Sequence, residues 1–260
     1  MSKFFKVLAA SFALLSVLAV IAYSKKAPAK PLPSPTLDPE AVRLLRNMTG
    51  YMSSLKQFSV LVRNLREDMS DSGHRVDFEM SANLIVSRPN KLRVARVGYL
   101  VDQVFYYNGK TLTLYNPTDK VYATEPAAAT IEEMLDFARD SLGIAMPVSD
   151  LVYRNGFPLL TQDLTLGVMV GKEIINGVKC DHLLFSKPGV DFQVWVTDAD
   201  RPLPLKYIVT DTSTPELLSI TTFMSDWNVA PAVADAQFTF MPPKGAKAVT
   251  FIPLNSGSER

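Results

Sequence analysis

The chain has 260 residues, 47% of them hydrophobic, with 27 Lys+Arg against 26 Asp+Glu and a formal charge of +1. A balance so close to neutral offers no basic footprint for nucleic acid, so a nucleic-acid partner is excluded. Cys180 is the only cysteine, which rules out an internal disulfide and leaves stability to a large hydrophobic core.

At the N-terminus, Lys3 and Lys6 precede the uncharged run from Val7 to Ser24, which ends in the small-residue stretch Ala22-Tyr23-Ser24. This is the pattern of a secretory signal over residues 1–24, and it predicts export. The competing reading is an uncleaved membrane anchor, since the run approaches the roughly 18 to 20 apolar residues that span a bilayer. No cysteine lies near its end, so a lipid-modified signal is excluded. Without residues 1–24 the 27 basic residues lose two lysines, leaving 25 against 26 acids and a charge of −1. Residues 25–37, KKAPAKPLPSPTL, are a proline-rich tether with no core of their own.

A folded domain is predicted over residues 38–253, followed by a tail over 254–260. Asp38-Pro39-Glu40 supplies a helix N-cap with proline at the first helical position. Val42, Leu45, Met48, Met52 and Leu55 then recur as one apolar stripe, so this helix lies on a sheet. From Phe58 the pattern turns to short strands divided by Ser70-Asp71-Ser72-Gly73, Asn108-Gly109 and Asn116-Pro117-Thr118-Asp119, the signals of an antiparallel meander.

Within it, LIVSRPNKLR over residues 84–93 is an alternating strand that stops at Arg88-Pro89-Asn90 and resumes at once. Pro89 lacks an N–H and cannot sit in the middle of a paired strand, so Arg88 belongs at the sheet rim. Period-two geometry puts Arg88 on the face of Phe78, Met80, Ala82, Leu84 and Val86. The plain alternative is a strand-end arginine in a surface ion pair.

After Pro126, Thr130 caps a helix in which Ile131, Met134, Leu135, Ala138 and Leu142 share a face. A second short helical piece, SDLVYRNG, begins at Ser149. Helices inserted in mid-sheet either cover a face or form a lid. The strands then return, with Asn176-Gly177 and Pro188-Gly189 as turns, and AQFTF near the C-terminus reads as the last of about eleven. So many strands with two helical insertions fit a mainly β, α+β architecture: a curved antiparallel sheet, a half-open barrel wrapped round a helix, with an apolar concave side.

Catalysis has little support. No nucleophile elbow, metal-binding helix, glycine-rich phosphate loop or paired cysteines occur, and no cofactor or metal is implied. His74 sits beside a turn, where it is solvated. His182 shares a strand face with Cys180, but hydrophobic neighbours and the lack of a third orienting group favour an inert buried thiol. Glu132 and Glu133 fall in the first turn of a helix, where acids cap or are solvated. Phe192, Val194 and Val196 form an apolar face, which leaves Gln193 and Trp195 on the other, with one side of Trp195 exposed.

The helix and long hairpin, the Arg88-Pro89-Asn90 corner, YNGKTLTLYNPTDKVYAT and VWVTDADRPLPLKYIVT resemble periplasmic proteins of the LolA/LolB lipoprotein-carrier-like fold. More narrowly, they resemble a branch of it consisting of predicted periplasmic proteins of unknown function. The resemblance covers residues 38–253 and implies a half-open barrel whose hydrophobic hollow takes up acyl chains under a helical lid, here residues 130–155. It implies that Arg88 hydrogen-bonds to the lid and holds the hollow closed. Phe78, Met80, Leu84 and Val86 would line the hollow from the sheet, and Ile131, Met134 and Leu135 from the lid. The expected function is a non-enzymatic, monomeric periplasmic binder of a lipid or lipid-modified protein. The alternative is a structural or sensory module with a filled core that binds an envelope protein through its sheet edge and tether.

Overall fold

The computed structural model describes residues 35–99, 101–144 and 149–251. The signal, the tether up to residue 34 and the tail lie outside the described residues. Thr36–Leu37 (β1) leads into the helix Pro39–Ser54 (α1), where Asp38 accepts from the Glu40 amide at 2.8 Å, as its N-cap position predicts. The meander follows: Gln57–Met69 (β2), Arg75–Ser87 (β3), Lys91–Gly98 (β4), Val101–Tyr107 (β5), Thr111–Asn116 (β6) and Val121–Pro126 (β7). Three helices come next, Ile131–Leu142 (α2), Ser149–Val152 (α3) and Gly156–Thr161 (α4). A second meander is made of Leu166–Ile175 (β8), Val178–Lys187 (β9), Val190–Thr197 (β10), Pro204–Asp211 (β11) and Ser219–Asn228 (β12). A 3-10 turn, Asp235–Phe238, and Lys247–Ala248 (β13) close the described chain.

All thirteen strands form one open, curved sheet in the order β1-β8-β9-β10-β11-β12-β2-β3-β4-β5-β6-β7-β13. Every neighbour pair is antiparallel except the two at the edges, β1 with β8 and β13 with β7. The architecture is therefore the curved antiparallel sheet with helices that the sequence predicts. The count exceeds eleven chiefly through β1 and β13, two-residue edge strands too short to show a period. The segment read as a last strand, AQFTF, instead forms the 3-10 turn over Asp235–Phe238. It is held behind the sheet, where Phe240 packs 4.9 to 5.4 Å from the rings of Tyr106, Tyr115 and Tyr122.

The topology explains the helical cover. The first meander ends at the β7 side of the sheet, whereas the second starts at β8, near the opposite edge. The connection has to travel the width of the sheet, and α2, α3 and α4 occupy it. Their apolar residues Ile131, Met134, Leu135, Ala138, Leu151, Val152 and Leu160 join one buried core with α1 and the concave face. Burying this much apolar surface is the main term holding helices to sheet.

Candidate functional site

Strand β3 delivers its residues to two faces by strict alternation. Ala82, Leu84 and Val86 are buried in the concave core, while Asn83 is exposed on the other side. Pairing with β2 ends at Gln57 opposite Ser87, and the chain turns at Arg88. The Arg88 amide donates to the Lys56 carbonyl at 2.8 Å, and the Pro89 carbonyl accepts from the Ile131 amide at 3.0 Å. One rim corner thus joins the end of α1 to the start of α2.

The Arg88 side chain is only 1% exposed. Its Nη2 donates to the Val152 carbonyl at 2.5 Å and its Nη1 to Glu132 Oε1 at 3.4 Å. The same Glu132 oxygen accepts from the Arg154 amide at 3.1 Å, so α2, the end of α3 and the β3 corner meet at one carboxylate. Burial lowers the pKa of the guanidinium, Glu132 works against that shift and Arg154 adds to it. Arg88 Nε is buried without a hydrogen-bond partner among the described residues. The fork of donors lets one side chain hold two helices, which a lysine ammonium cannot match in geometry.

Further bonds tie the cover down. Tyr107 Oη donates to the Ala128 carbonyl at 2.5 Å, just before α2, and burial followed by Glu133 and Glu132 pushes this phenol up to about 12. Tyr153 Oη donates to Asp136 at 2.7 Å, linking the residue after α3 to α2. Thr130 caps α2, accepting from the Glu133 amide at 3.3 Å.

Of the residues the sequence nominates, Leu84, Val86, Ile131, Met134 and Leu135 come together in the core beneath the cover. Phe78 and Met80 do not. They are half-buried, outside that core, toward the end of β3 remote from the Arg88 corner. Alternation gives their face, but which end of a thirteen-residue strand the helices cover depends on the crossover. The crevice lined by Met48, Thr49, Met52, Asp150, Leu151, Tyr153 and Gly156 leaves no room for a water molecule. The apolar side chains of α2, α3 and α4 pack directly on α1 and the concave face.

Cys180 is buried, and burial raises its thiol pKa. His182 stacks on Trp195 at 3.9 Å and its Nε2 lies 2.8 Å from Gln193 Oε1, on the convex face. Trp195 is 3% exposed, enclosed by His182 and by Lys206 Nζ 4.2 Å from its ring centre. The exposed side foreseen for it is absent because cross-strand neighbours cover it. Among the described residues there is no cluster of three metal-ligating side chains, and no helix is long and apolar enough to cross a membrane.

The family model of the predicted periplasmic proteins DUF2092 matches residues 41–252. The chain belongs to this family. This DUF2092 protein is periplasmic, in agreement with the export pattern at its N-terminus. No curated protein matches it. Solved structures similar to it include an uncharacterised conserved protein of Thermus thermophilus, 13% identical over 81% of this chain and 99% of that one, with a TM-score of 0.48. Lipoprotein LppX of Mycobacterium tuberculosis is 15% identical over 76% and 100% of the two chains, with a TM-score of 0.43. A LolA superfamily protein of Nitrosomonas europaea is 15% identical over 77% and 97%, with a TM-score of 0.38. These three scores fall below 0.5, and the fold described above rests on the DUF2092 chain's own sheet and core.

Glu132, expected from the sequence to cap or be solvated, instead takes part in the DUF2092 site, accepting from Arg88 and from the Arg154 amide. An acid in the first turn of a helix has a sufficient local explanation, and its contact with Arg88 spans 44 positions.

Proposed function

We propose that this periplasmic protein binds the acyl chain of a lipid or of a lipid-modified protein between the concave face of its sheet and a movable cover formed by α2, α3 and α4. Arg88 acts as the latch of that cover. The observation that carries the reading is the Arg88 contact set: a buried cation spent on the carbonyl of Val152 and on Glu132, one in each of two covering helices. An acyl chain that displaces the cover gains roughly 0.8 kcal/mol for each buried methylene. Against this stand a few hydrogen bonds of about 1 to 3 kcal/mol each. A chain of ordinary length therefore outweighs the latch's hydrogen bonds, and its methylenes take the place of part of the apolar packing that holds the cover. The protein is a monomer without catalytic activity in this account, exported by residues 1–24.

One observation favours a second reading. The crevice between α1 and the covering helices leaves no room for a water molecule, which suits an interaction module with a filled core that binds an envelope protein through its edge and tether. Uptake of a fluorescent fatty-acid analogue, competed by unlabelled phospholipid, separates the two. Saturable, competed uptake that changes in Arg88→Leu supports the carrier. Absence of uptake by both forms favours the interaction module.

A further inference from the structure

The convex face of the sheet, opposite the covered hollow, holds a cavity of about 200 Å³ lined by Leu61, Arg63, Ser81, Asn176, Phe223 and Ser225. One water needs roughly 10 to 15 Å³ of such space, so the cavity has room for a small organic molecule. Alternation accounts for five of the six lining residues. Val62 on β2, Ala82 on β3 and Met224 on β12 are buried in the concave core, so Leu61, Arg63, Ser81, Phe223 and Ser225 face the other way. Asn176 comes from farther off. It sits in the left-handed region, with φ of +50°, at the tip of the β8–β9 hairpin, which β10 and β11 separate from β12 in the sheet. The hairpin carries a register shift between Met169 and Gly171, the kind of bulge that bends a strand, and its tip closes one side of the cavity.

The charge at this cavity is positive. Trp195, Lys206, Phe223, Arg63 and Ser81 are direct cross-strand neighbours in one row over β10, β11, β12, β2 and β3. Phe223 is therefore flanked by two cations, with Lys206 Nζ 5.6 Å and the Arg63 guanidinium carbon 4.8 Å from its ring centre. Lys206 has no carboxylate within ion-pair distance among the described residues and rests on the rings of Phe223 and Trp195. Arg63 meets Glu79 at 3.6 Å, but these side chains are 49% and 58% exposed, and a pair so open to water is worth little. Two cations flanking one ring repel each other, and an anion beside both relieves that repulsion. The fork of Arg63 fits the two oxygens of a carboxylate, the hydroxyls of Ser81 and Ser225 and the amide of Asn176 are further donors, and Phe223 with Leu61 offers an apolar wall.

We propose that this convex cavity is a second binding site, which takes a small organic carboxylate whose charged end pairs with Arg63 and Lys206 and whose apolar body rests on Phe223 and Leu61. Its size suits a ring or a short chain and not a long acyl chain. None of its residues belongs to the Arg88 corner or to α2, α3 and α4, so the site stands apart from acyl binding on the concave side.

The test is a fluorine nuclear magnetic resonance titration of the protein from the exported fraction with para-trifluoromethylbenzoate, and with the neutral para-trifluoromethylbenzyl alcohol for comparison. The expected result is a saturable shift of the benzoate with a Kd of about 1 mM or tighter, and weaker binding of the alcohol. Lys206→Gln should weaken benzoate binding by about tenfold, the loss of one charge-assisted contact. Ser81→Leu, which fills the cavity and leaves both cations in place, should abolish it. Both positions are on the convex face outside the core, so neither change removes core packing. Absence of a saturable shift in the wild type, or binding of the alcohol as tight as that of the benzoate, overturns the site. Binding that both variants retain would put the probe elsewhere on the molecule and overturns it equally.

Discussion

The guanidinium of Arg88 donates to the carbonyl of Val152 at 2.5 Å, across 64 positions of sequence, and so connects the rim of the sheet to the helix that covers it. Replacing Arg88 by Leu leaves that carbonyl and Glu132 without this partner. The expected cost is about 1 to 3 kcal/mol of stability. Hydrogen exchange should rise in α3 and the residues after it more than in β2 and β3, and Arg88→Lys should not restore protection. Equal loss across the whole sheet would show that Arg88 supports the fold generally and is not a latch.

Met134 and Met80 separate the covered part of the concave face from the uncovered part. Met134 is fully buried in the core, whereas Met80 lies outside it. Met134→Ala should cost about 2 to 5 kcal/mol in denaturant unfolding, as large-to-small core changes do. Met80→Ala should cost well under half of that. Similar losses at both sites would place the core boundary elsewhere.

The division between what is readable in the chain and what is not follows the range of the interactions. Arg88 is legible because alternation along β3 is a local rule and Pro89 marks where the strand stops. The cap at Asp38 and the turns at Asn108-Gly109 and Asn176-Gly177 are legible for the same reason. Glu132 is not, since its partner Arg88 comes from an element far away in the chain. Trp195 is misjudged by the same limit: its face is right, while its cover comes from His182 on β9 and Lys206 on β11.

The corner itself is sensitive to Gly109. Its φ is +85°, and a Cβ there would approach Asn90 Nδ2 to 2.5 Å. Gly109→Ala should therefore lower stability by more than 1 kcal/mol, roughly the cost of a strained left-handed position plus a contact that must move. Chemical unfolding of the purified variant checks this, and a neutral result would mean that the Asn90 side chain yields freely.

At alkaline pH the bond from Tyr107 to the Ala128 carbonyl should fail. Its phenol is raised from 10.0 to about 12, so its contribution is complete below pH 10 and is lost as pH rises through 12. Ultraviolet titration of the wild type against Tyr107→Phe should show one late-titrating tyrosine missing from the variant. The variant should also lose less stability between pH 10 and 12. Identical titration curves would contradict the assignment.

Native mass spectrometry of the protein from the exported fraction, followed by solvent extraction and lipid analysis, tests the central claim most directly. The account predicts an acyl-bearing species bound one to one, with an occupancy that changes in Arg88→Leu. A clean unliganded mass in both forms, unchanged after incubation with lipid vesicles, would contradict it.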